Sequence, residues 1–217
     1  MKTVLVLGGT FDPVHNAHLQ TALDVAEMLG VKQIRLIPCG DPAHRPAPGA
    51  TADQRAAMLQ AAIAEQPRFV IDRQELERDG PSYMVDTAAN LRRELGPSVS
   101  IVLMMGMDAF LGLPNWHRWQ QLLSYLHLLV VERPGWQREM CQANSELQQL
   151  LAEHQVSSVA VLNDTAAGGI LMAKVSHIDI SATEIRRMIA IGESCSGLLP
   201  DAVTEFIEKQ KIYQNQV

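Results

Sequence analysis

The chain has 217 residues, of which 47% are apolar and 19% charged, so it can bury a substantial core and does not resemble a disordered chain. Its apolar runs, such as residues 101–105, are too short to cross a bilayer, which argues against a membrane protein. The net charge of −6, without a long basic run, argues against sequence-independent binding to a nucleic-acid backbone.

The first half of the chain is predicted to alternate strands with helices. The first apolar segment meets a glycine pair without a cleavage pattern, which predicts a buried strand and no signal peptide. Thr51 and Gln54 form a capping-box pattern that begins a helix. Strands are predicted at 4–7, 33–38 and 69–72, helices at 17–29, 51–65 and 84–95, and a proline- and glycine-rich loop at 39–50.

The second half continues this alternation. Strands are predicted at 101–105, 127–132, 158–162 and 171–175, and helices at 122–126 (the end of one), 138–154, 182–191 and 201–211. Near-continuous apolar strands between helices predict an α/β fold with a doubly wound, Rossmann-like parallel sheet. We expect one domain over 1–217, with C-terminal helices of about 181–217 packed on it. Ligands bind such a sheet beyond the carboxyl ends of its strands.

The loop after the first strand has the composition of a phosphate site. Gly8 and Gly9 allow close backbone approach, and the helix that follows presents its N-terminus to an anion. His15 and His18 are three residues apart, so both imidazoles can face one crevice. Two alternatives stay open: a tight turn with two surface histidines, and a zinc site for which spacing suggests no third ligand.

A second anion site is predicted near the C-terminus. Ser181 and Glu184 form a capping-box pattern, which would by itself explain both residues. Thr183 in the first helical turn and Arg186 three residues later add a hydroxyl and a guanidinium to unpaired helix amides. The alternative is that Arg186 is half of a solvated surface pair, which would contribute little stability.

Several other site classes are excluded by the sequence. It contains no Gly-Lys pair for a Walker A loop, no GxGxxG dinucleotide fingerprint and no GxSxG nucleophile elbow. Its three cysteines, Cys39, Cys141 and Cys195, are far apart and form no CxxC pair. Reduced thiols and a cytoplasmic location are therefore expected.

Two segments resemble signatures of the nucleotidyltransferase superfamily. Residues 8–18, GGTFDPVHNAH, resemble GGTFDPxHxGH, and residues 180–186, ISATEIR, resemble ISSTxIR, with Ala17 and Ala182 as departures. The intervening segments 42–45, 81–83, 106–108, 113–116 and 132–135 are similar, in order and spacing, to the bacterial nicotinate-nucleotide adenylyltransferases. This resemblance covers nearly the whole chain. It implies a nucleotidyltransferase fold that transfers the adenylyl group of ATP to nicotinate mononucleotide, with Mg²⁺ bound alongside ATP.

The same resemblance implies roles for individual residues. Catalytic contacts with the ATP phosphates are implied for His15, His18 and Arg186. ATP binding is implied for Gly8, Gly9, Thr10, Phe11, His15, His18, Gly106, Asp108, Ile180, Ser181, Thr183 and Arg186. Binding of the nicotinate nucleotide is implied for His44, Arg45, Tyr83, Met84, Trp116 and Arg133. No metal ligand from the chain is implied. Trp119 is interpreted as a core residue, and His117 as a structural or surface residue.

Two other functions stay open. Adenylyltransferases for nicotinamide mononucleotide or phosphopantetheine share the histidine loop but lack the full set of intervening segments. A nucleotide-binding regulator would retain the fold without catalysis, although the intact histidines and Arg186 argue against it. The expected partners are ATP and nicotinate mononucleotide, with no nucleic acid and no membrane.

Overall fold

Six parallel strands form one sheet in the computed structural model, which describes residues 1–42, 47–132, 141, 144–175 and 180–214. The strands are β1 (Thr3–Gly9), β2 (Ile34–Pro38), β3 (Phe69–Ile71), β4 (Ser100–Gly106), β5 (His127–Glu132) and β6 (Ile170–Lys174). They are ordered β3-β2-β1-β4-β5-β6, which confirms the predicted doubly wound parallel sheet.

Helices connect these strands in the same described ranges. They are α1 (Asn16–Leu29), α2 (Ala52–Ala62), α3 (Met84–Leu95), α4 (Met107–Leu111), α5 (Leu122–Tyr125), α6 (Ser145–His154), α7 (Val159–Asp164), α8 (Ala182–Ala190) and α9 (Asp201–Gln210). Two 3₁₀ turns, Leu113–Asn115 and Trp119–Gln121, lie between α4 and α5. None of these helices has both the length and the apolar character that a membrane span requires.

Apolar side chains of β1 alternate between two buried clusters, one on each face of the sheet. Leu5 and Leu7 pack with α1, α2 and the C-terminal helices, whereas Val4 and Val6 pack with α3 and α5. Because both faces are covered, β1, β4 and β5 are almost continuously apolar. Helix α9 also packs against α2, so the C-terminal helices extend the first cluster.

The strand order reverses at β1, which pairs with β2 on one side and β4 on the other. Gly9 pairs with Pro38, and Leu7 pairs with Met104, so the carboxyl ends of three strands lie side by side. Open α/β sheets bind ligands in the crevice at such a point. The loops that follow β1, β2 and β4 are therefore where the candidate residues are positioned.

The strand predicted at 158–162 is wrong, because these residues lie mainly in α7 (Val159–Asp164). The β-branched sequence VAVL favours a strand on intrinsic preference, which is a weak influence. In the helix, Leu162 is fully buried, and the Asn163 side-chain oxygen accepts a 2.8 Å hydrogen bond from the Thr3 hydroxyl. Tertiary contacts thus outweigh the local preference.

The helix predicted at 138–154 is described only in part. Its described portion is α6, which begins at Ser145 because the Asn144 side chain accepts hydrogen bonds from the amides of Glu146 and Leu147. Residues 138–140, 142 and 143 lie outside the described ranges. Helix α4 was not predicted, since its five residues are too few to show a helical period.

Arg92 of α3 joins three connections at the amino edge of the sheet. Its guanidinium donates hydrogen bonds to the carbonyls of Tyr125 (2.6 and 3.0 Å), Gly96 (2.8 Å), Val99 (2.6 Å) and Ala166 (2.7 Å). Burial lowers the pKa of this guanidinium. Four backbone acceptors from three segments therefore depend on one side chain.

Arg92→Ala is expected to lower the free energy of unfolding by about 3 kcal/mol, because each hydrogen bond from a charged donor contributes roughly 1.5–3 kcal/mol and buried acceptors would lose their partner. The matched control is Arg93→Ala, since Arg93 is exposed and its hydrogen bond within the described residues is to the Asn90 side chain. Its expected effect is within about 0.5 kcal/mol. Urea unfolding of both variants measures the difference, and equal midpoints would contradict the structural role of Arg92.

Candidate active site

The loop that leaves β1 passes very close to its neighbours at two glycines. A Cβ atom on Gly8 would lie 2.6 Å from Cε of Met84, and one on Gly9 would lie 3.2 Å from the Phe11 ring. Phe11 itself adopts a positive φ of 52°, which non-glycine residues rarely do. A side chain at Gly9 would press on the Phe11 ring, whereas at Gly8 it would displace only the flexible end of Met84; the loop brings Phe11 back over the end of β1.

The imidazole rings of His15 and His18 stack at the start of α1, with 3.6 Å between ring centroids and 20° between planes. The backbone N–H of His15 donates to Nδ1 of His18 at 3.3 Å, so a neutral His18 ring carries its hydrogen on Nε2. Phe11 packs its ring edge-to-face with His18 at 5.4 Å between centroids. His15 is only 3% exposed, so the alternative of two surface histidines is wrong for His15.

Asp12 connects this loop to two segments that are distant in sequence. Its carboxylate accepts hydrogen bonds from the amides of Gly49 (Oδ2, 2.8 Å) and Ala50 (Oδ1, 3.0 Å) and from the Tyr213 hydroxyl (Oδ1, 2.7 Å). Asp12 is 6% exposed. No local pattern in the sequence predicts a bond between residues that lie 201 positions apart.

Arg55 of α2 fastens the ends of β1 and β2 together. Its guanidinium donates to the carbonyls of Thr10 (2.8 Å), Cys39 (2.6 Å) and Gly40 (3.0 Å). Arg55 is 1% exposed, and burial lowers its pKa. The sequence carries little signal for this role, because arginine in a helix usually faces solvent.

The second predicted anion site lies at the N-terminus of α8. The Ser181 hydroxyl accepts a 3.1 Å bond from the Glu184 amide, which confirms its capping role. The Glu184 carboxylate, however, pairs with Arg187 at 2.7 Å, so the predicted reciprocal capping box is wrong. Thr183 is exposed in the first turn.

Arg186 joins the two candidate anion sites. Its Nη1 donates to the Asp12 carbonyl at 2.7 Å and lies 3.6 Å from the Asp12 carboxylate, and its Nη2 lies 3.4 Å from the Thr183 hydroxyl. The alternative of a solvated surface pair is therefore wrong. The side chain retains 30% exposure, so part of the guanidinium remains open to a ligand.

Three further residues implied to bind ATP lie at the end of β4 and just before α8. Gly106 ends the strand and caps α4, and Asp108 is exposed in the first turn of that helix. Ile180 precedes the cap of α8, is 8% exposed and packs in the same cluster as Leu7. These residues belong to the same edge of the sheet as the histidine loop.

A second group surrounds the N-terminus of α3. Tyr83 caps this helix, and its ring lies 4.3 Å from the His117 ring at an angle of 31°. Met84 and Trp116 are half-buried and pack, with Tyr83, against one apolar cluster. His117 is exposed, as predicted for a structural or surface residue, and its contact with Tyr83 also places it beside this group.

Three implied binding residues cannot be placed against this geometry. His44, Arg45 and Arg133 lie outside the described residues. Trp119 is 9% exposed and packs in the core as predicted. Within the described ranges, no group of three or more His, Cys, Asp or Glu side chains is arranged to hold a metal ion, so the zinc alternative has no third ligand there.

Comparisons with known proteins agree with this architecture. Residues 6–188 match the family model described as cytidylyltransferase-like. A protein of Aeromonas hydrophila subsp. hydrophila, named "Probable nicotinate-nucleotide adenylyltransferase", is 44% identical over 96% of each chain. One of the same name from Cellvibrio japonicus is 44% identical over 98% of this chain and 99% of the relative.

Solved structures show the same fold at low sequence identity. The Plasmodium falciparum nicotinic acid mononucleotide adenylyltransferase complexed with NaAD matches with a TM-score of 0.73 and 15% identity, over 98% of both chains. A second structure of that protein, complexed with APC, matches with a TM-score of 0.70. From the family model and the curated relatives, this chain belongs to the nicotinate-nucleotide adenylyltransferase family within the cytidylyltransferase-like proteins.

Proposed function

We propose that this chain transfers the adenylyl group of ATP to nicotinate mononucleotide, forming nicotinate adenine dinucleotide and pyrophosphate in NAD biosynthesis. One structural observation carries the proposal beyond family membership: Arg186 donates to the Asp12 carbonyl at 2.7 Å. This bond brings a side chain of α8 into contact with the loop that carries the two histidines. Both elements offer donors for anions.

The proposed reaction needs no nucleophile from the protein. A phosphate oxygen of the mononucleotide attacks the α-phosphorus of ATP, the bond from that phosphorus to the bridging oxygen breaks, and pyrophosphate leaves with the bonding electron pair. The attacking oxygen is already ionised near neutral pH. The chain's task is therefore to align the two phosphates and to stabilise the charge that develops on the transferred and leaving groups.

His18 is the proposed donor to the α-phosphate. Its Nδ1 accepts a hydrogen bond from the His15 amide, which fixes the ring orientation and puts the hydrogen of a neutral ring on Nε2, the atom proposed to donate. Stacking on His15 and edge packing by Phe11 hold the ring in place, so little reorganisation is needed during reaction. The amides near Thr10 and Phe11 are proposed to bind the same phosphate chain.

The β- and γ-phosphates are proposed to bind at α8. Thr183, the amides after Ser181 and the free part of the Arg186 guanidinium provide hydroxyl, amide and cationic donors there. Adenine and ribose are proposed to lie between Ile180 and the Gly106–Asp108 turn. The attacking nucleotide is proposed to bind at α3, with Trp116 under its ring and Tyr83 and Met84 beside it, and with His44, Arg45 and Arg133 contributing from outside the described ranges.

Adenylyltransferases of this family typically use a divalent metal with ATP. The described part of the chain has no cluster of metal-binding side chains, so the ion is proposed to be Mg²⁺ that enters as part of the ATP complex. Mg²⁺ is commonly held by substrate phosphates and water, and it would neutralise phosphate charge.

Removal of divalent metal is expected to abolish turnover without unfolding the protein. Dialysis against a chelator should reduce pyrophosphate release to background, and added Mg²⁺ should restore it. The melting temperature should change by less than about 2 °C, since a ligand that binds the folded chain only through ATP stabilises nothing in its absence. A large fall in melting temperature on chelation would reveal a resident structural metal instead.

Trp116→Ala is expected to raise the KM for nicotinate mononucleotide about 5–100-fold, since stacking on an aromatic contributes roughly 1–3 kcal/mol. The KM for ATP should change little. Trp116→Phe retains a ring and should restore most of the loss. Equal effects on both KM values would place Trp116 in the general packing of the core rather than under the substrate ring.

The acceptor panel is the test of the proposed function. Pyrophosphate release from ATP should occur rapidly with nicotinate mononucleotide and slowly or not at all with nicotinamide mononucleotide or phosphopantetheine. ATP binding without turnover on any acceptor would favour the nucleotide-binding regulator. Faster reaction with either alternative acceptor would replace nicotinate mononucleotide as the substrate.

The cellular setting is proposed from the thiols. Cys39, Cys141 and Cys195 take part in no disulfide among the described residues, which supports a reducing compartment such as the cytoplasm. We propose that the chain acts as a single domain, because Ile185 and Val203 of the C-terminal helices are fully buried in the same cluster as Leu5 of β1.

A further inference from the structure

The Tyr213 side chain ends at the centre of the candidate site although it lies near the other end of the chain. Its hydroxyl donates to Oδ1 of Asp12 at 2.7 Å, and the residue is 2% exposed. The backbone of Tyr213 has a positive φ of 65°, which a tyrosine seldom adopts. The chain thus holds an unfavourable backbone conformation at the residue that reaches Asp12.

Asp12 is an unusual neighbour for a phosphate site, because a carboxylate repels phosphate. Its charge is offset by three hydrogen bonds, from Gly49, Ala50 and Tyr213, and by Arg186 at 3.6 Å. A carboxylate held in this way can act as an anchor while facing away from the ligand. Its own backbone carbonyl then accepts from Arg186 Nη1 at 2.7 Å.

Arg186 is therefore held by Asp12 through Nη1, while Nη2 lies 3.4 Å from the Thr183 hydroxyl, and a ligand can reach the side chain through its exposed 30%. The orientation of Arg186 depends on the position of Asp12, and that position depends on the donors around its carboxylate. Tyr213 is the only side-chain hydroxyl among the donors recorded for this carboxylate in the described residues. Burial and the Asp12 charge raise the pKa of Tyr213, so the hydroxyl stays protonated and can donate.

We propose that Tyr213 is a positioning residue for the reaction: its hydroxyl fixes the Asp12 carboxylate, and Asp12 in turn directs Arg186 toward the phosphates of ATP. This inference rests on the proposed function of Arg186. It makes the C-terminal segment part of the ATP-binding apparatus, in addition to its packing on α2. The hydroxyl never contacts ATP, so its effect passes through Arg186.

Tyr213→Phe tests the inference, because it removes the hydroxyl and keeps the buried ring. The dissociation constant for Mg²⁺–ATP, measured by calorimetry without acceptor, should rise about tenfold, the scale of one hydrogen bond to a charged group. The melting temperature should fall by no more than several degrees, because the same buried bond also stabilises the fold, and the variant should remain folded at the assay temperature. Tyr125→Phe is the matched control, since Tyr125 ends α5 and packs against the other apolar cluster, and it should leave affinity and turnover unchanged.

The same substitution in an Arg186→Ala background separates positioning from general packing. If Tyr213 acts through Arg186, Tyr213→Phe should change the dissociation constant less than twofold in that background. An undiminished tenfold effect there, or no effect in the unaltered protein, would overturn the inference.

Asp12→Asn provides a second route if Tyr213→Phe does not fold. It should weaken Mg²⁺–ATP binding at least as much, and again only while Arg186 is present; a loss that persists after Arg186→Ala would overturn the inference. Failure of the proposed function is a distinct outcome, because the unaltered protein would then form no dinucleotide from ATP and nicotinate mononucleotide.

Discussion

His18→Ala is expected to lower kcat for adenylyl transfer by about 10²–10³, the usual cost of losing one preorganised donor to developing charge. The structure supplies the preorganisation: Nδ1 of His18 is held by the His15 amide at 3.3 Å, and the ring is packed by His15 and Phe11. Because the interaction strengthens in the transition state, kcat should fall more than the affinity for ATP.

The control for this substitution is His154→Ala. His154 ends α6, where its Nδ1 lies 2.9 Å from the Gly168 carbonyl and away from the histidine loop. Its replacement should leave kcat within about twofold, as expected for a side chain that takes no part in the transition state. Near-normal turnover of a folded His18→Ala variant would contradict the assigned role.

A preference for nicotinate over nicotinamide mononucleotide, on the order of 10⁴ in kcat/KM, is the second large effect expected. The amides of Met84 and Val85, in the first turn of α3, precede the helical hydrogen-bond ladder and favour a carboxylate, whereas the Asp86 amide donates to the Tyr83 carbonyl at 3.1 Å. A carboxamide would present its NH₂ group to donors and leave them unpaired, which costs roughly 1–3 kcal/mol for each buried mismatch.

The described carboxylates near this pocket also argue against reading an amide. Asp86 in the first turn of α3 is paired with Arg118, and Asp108 is exposed on α4. Measuring kcat/KM for both mononucleotides with one enzyme preparation gives the ratio directly. Equal values, or a preference for the amide, would mean that the α3 region is not the nicotinate pocket.

Local patterns were sufficient to predict most of the sheet, because each central strand is apolar on both faces and some helix boundaries carry recognisable capping residues. Thr51 and Gln54 form the predicted reciprocal cap of α2, and Gly30 ends α1 in a left-handed conformation. The strand predicted at 158–162 was wrong because local sequence was misleading there. There, intrinsic preference favoured a strand, and contacts of Leu162 and Asn163 with distant residues decided the structure.

Some features of the candidate site could be predicted from the sequence, and others depend on contacts that only the fold creates. The histidine loop and the α8 segment could be recognised from their sequences and their resemblance to known signatures. Their connection through Asp12 could not, because Arg186 lies 174 positions away and Tyr213 lies 201 positions away. Arg55 was also missed, since only the fold turns this side chain toward three strand-end carbonyls.

The central claim, adenylyl transfer to nicotinate mononucleotide, is tested most directly by following isotope from ATP. The protein is incubated with Mg²⁺, nicotinate mononucleotide and ATP labelled either at the α- or at the γ-phosphorus, and the products are separated. The α-label is predicted to appear in nicotinate adenine dinucleotide and the γ-label in pyrophosphate, in equal amounts. Transfer of the γ-label to the mononucleotide, or no labelled dinucleotide at all, would contradict the claim.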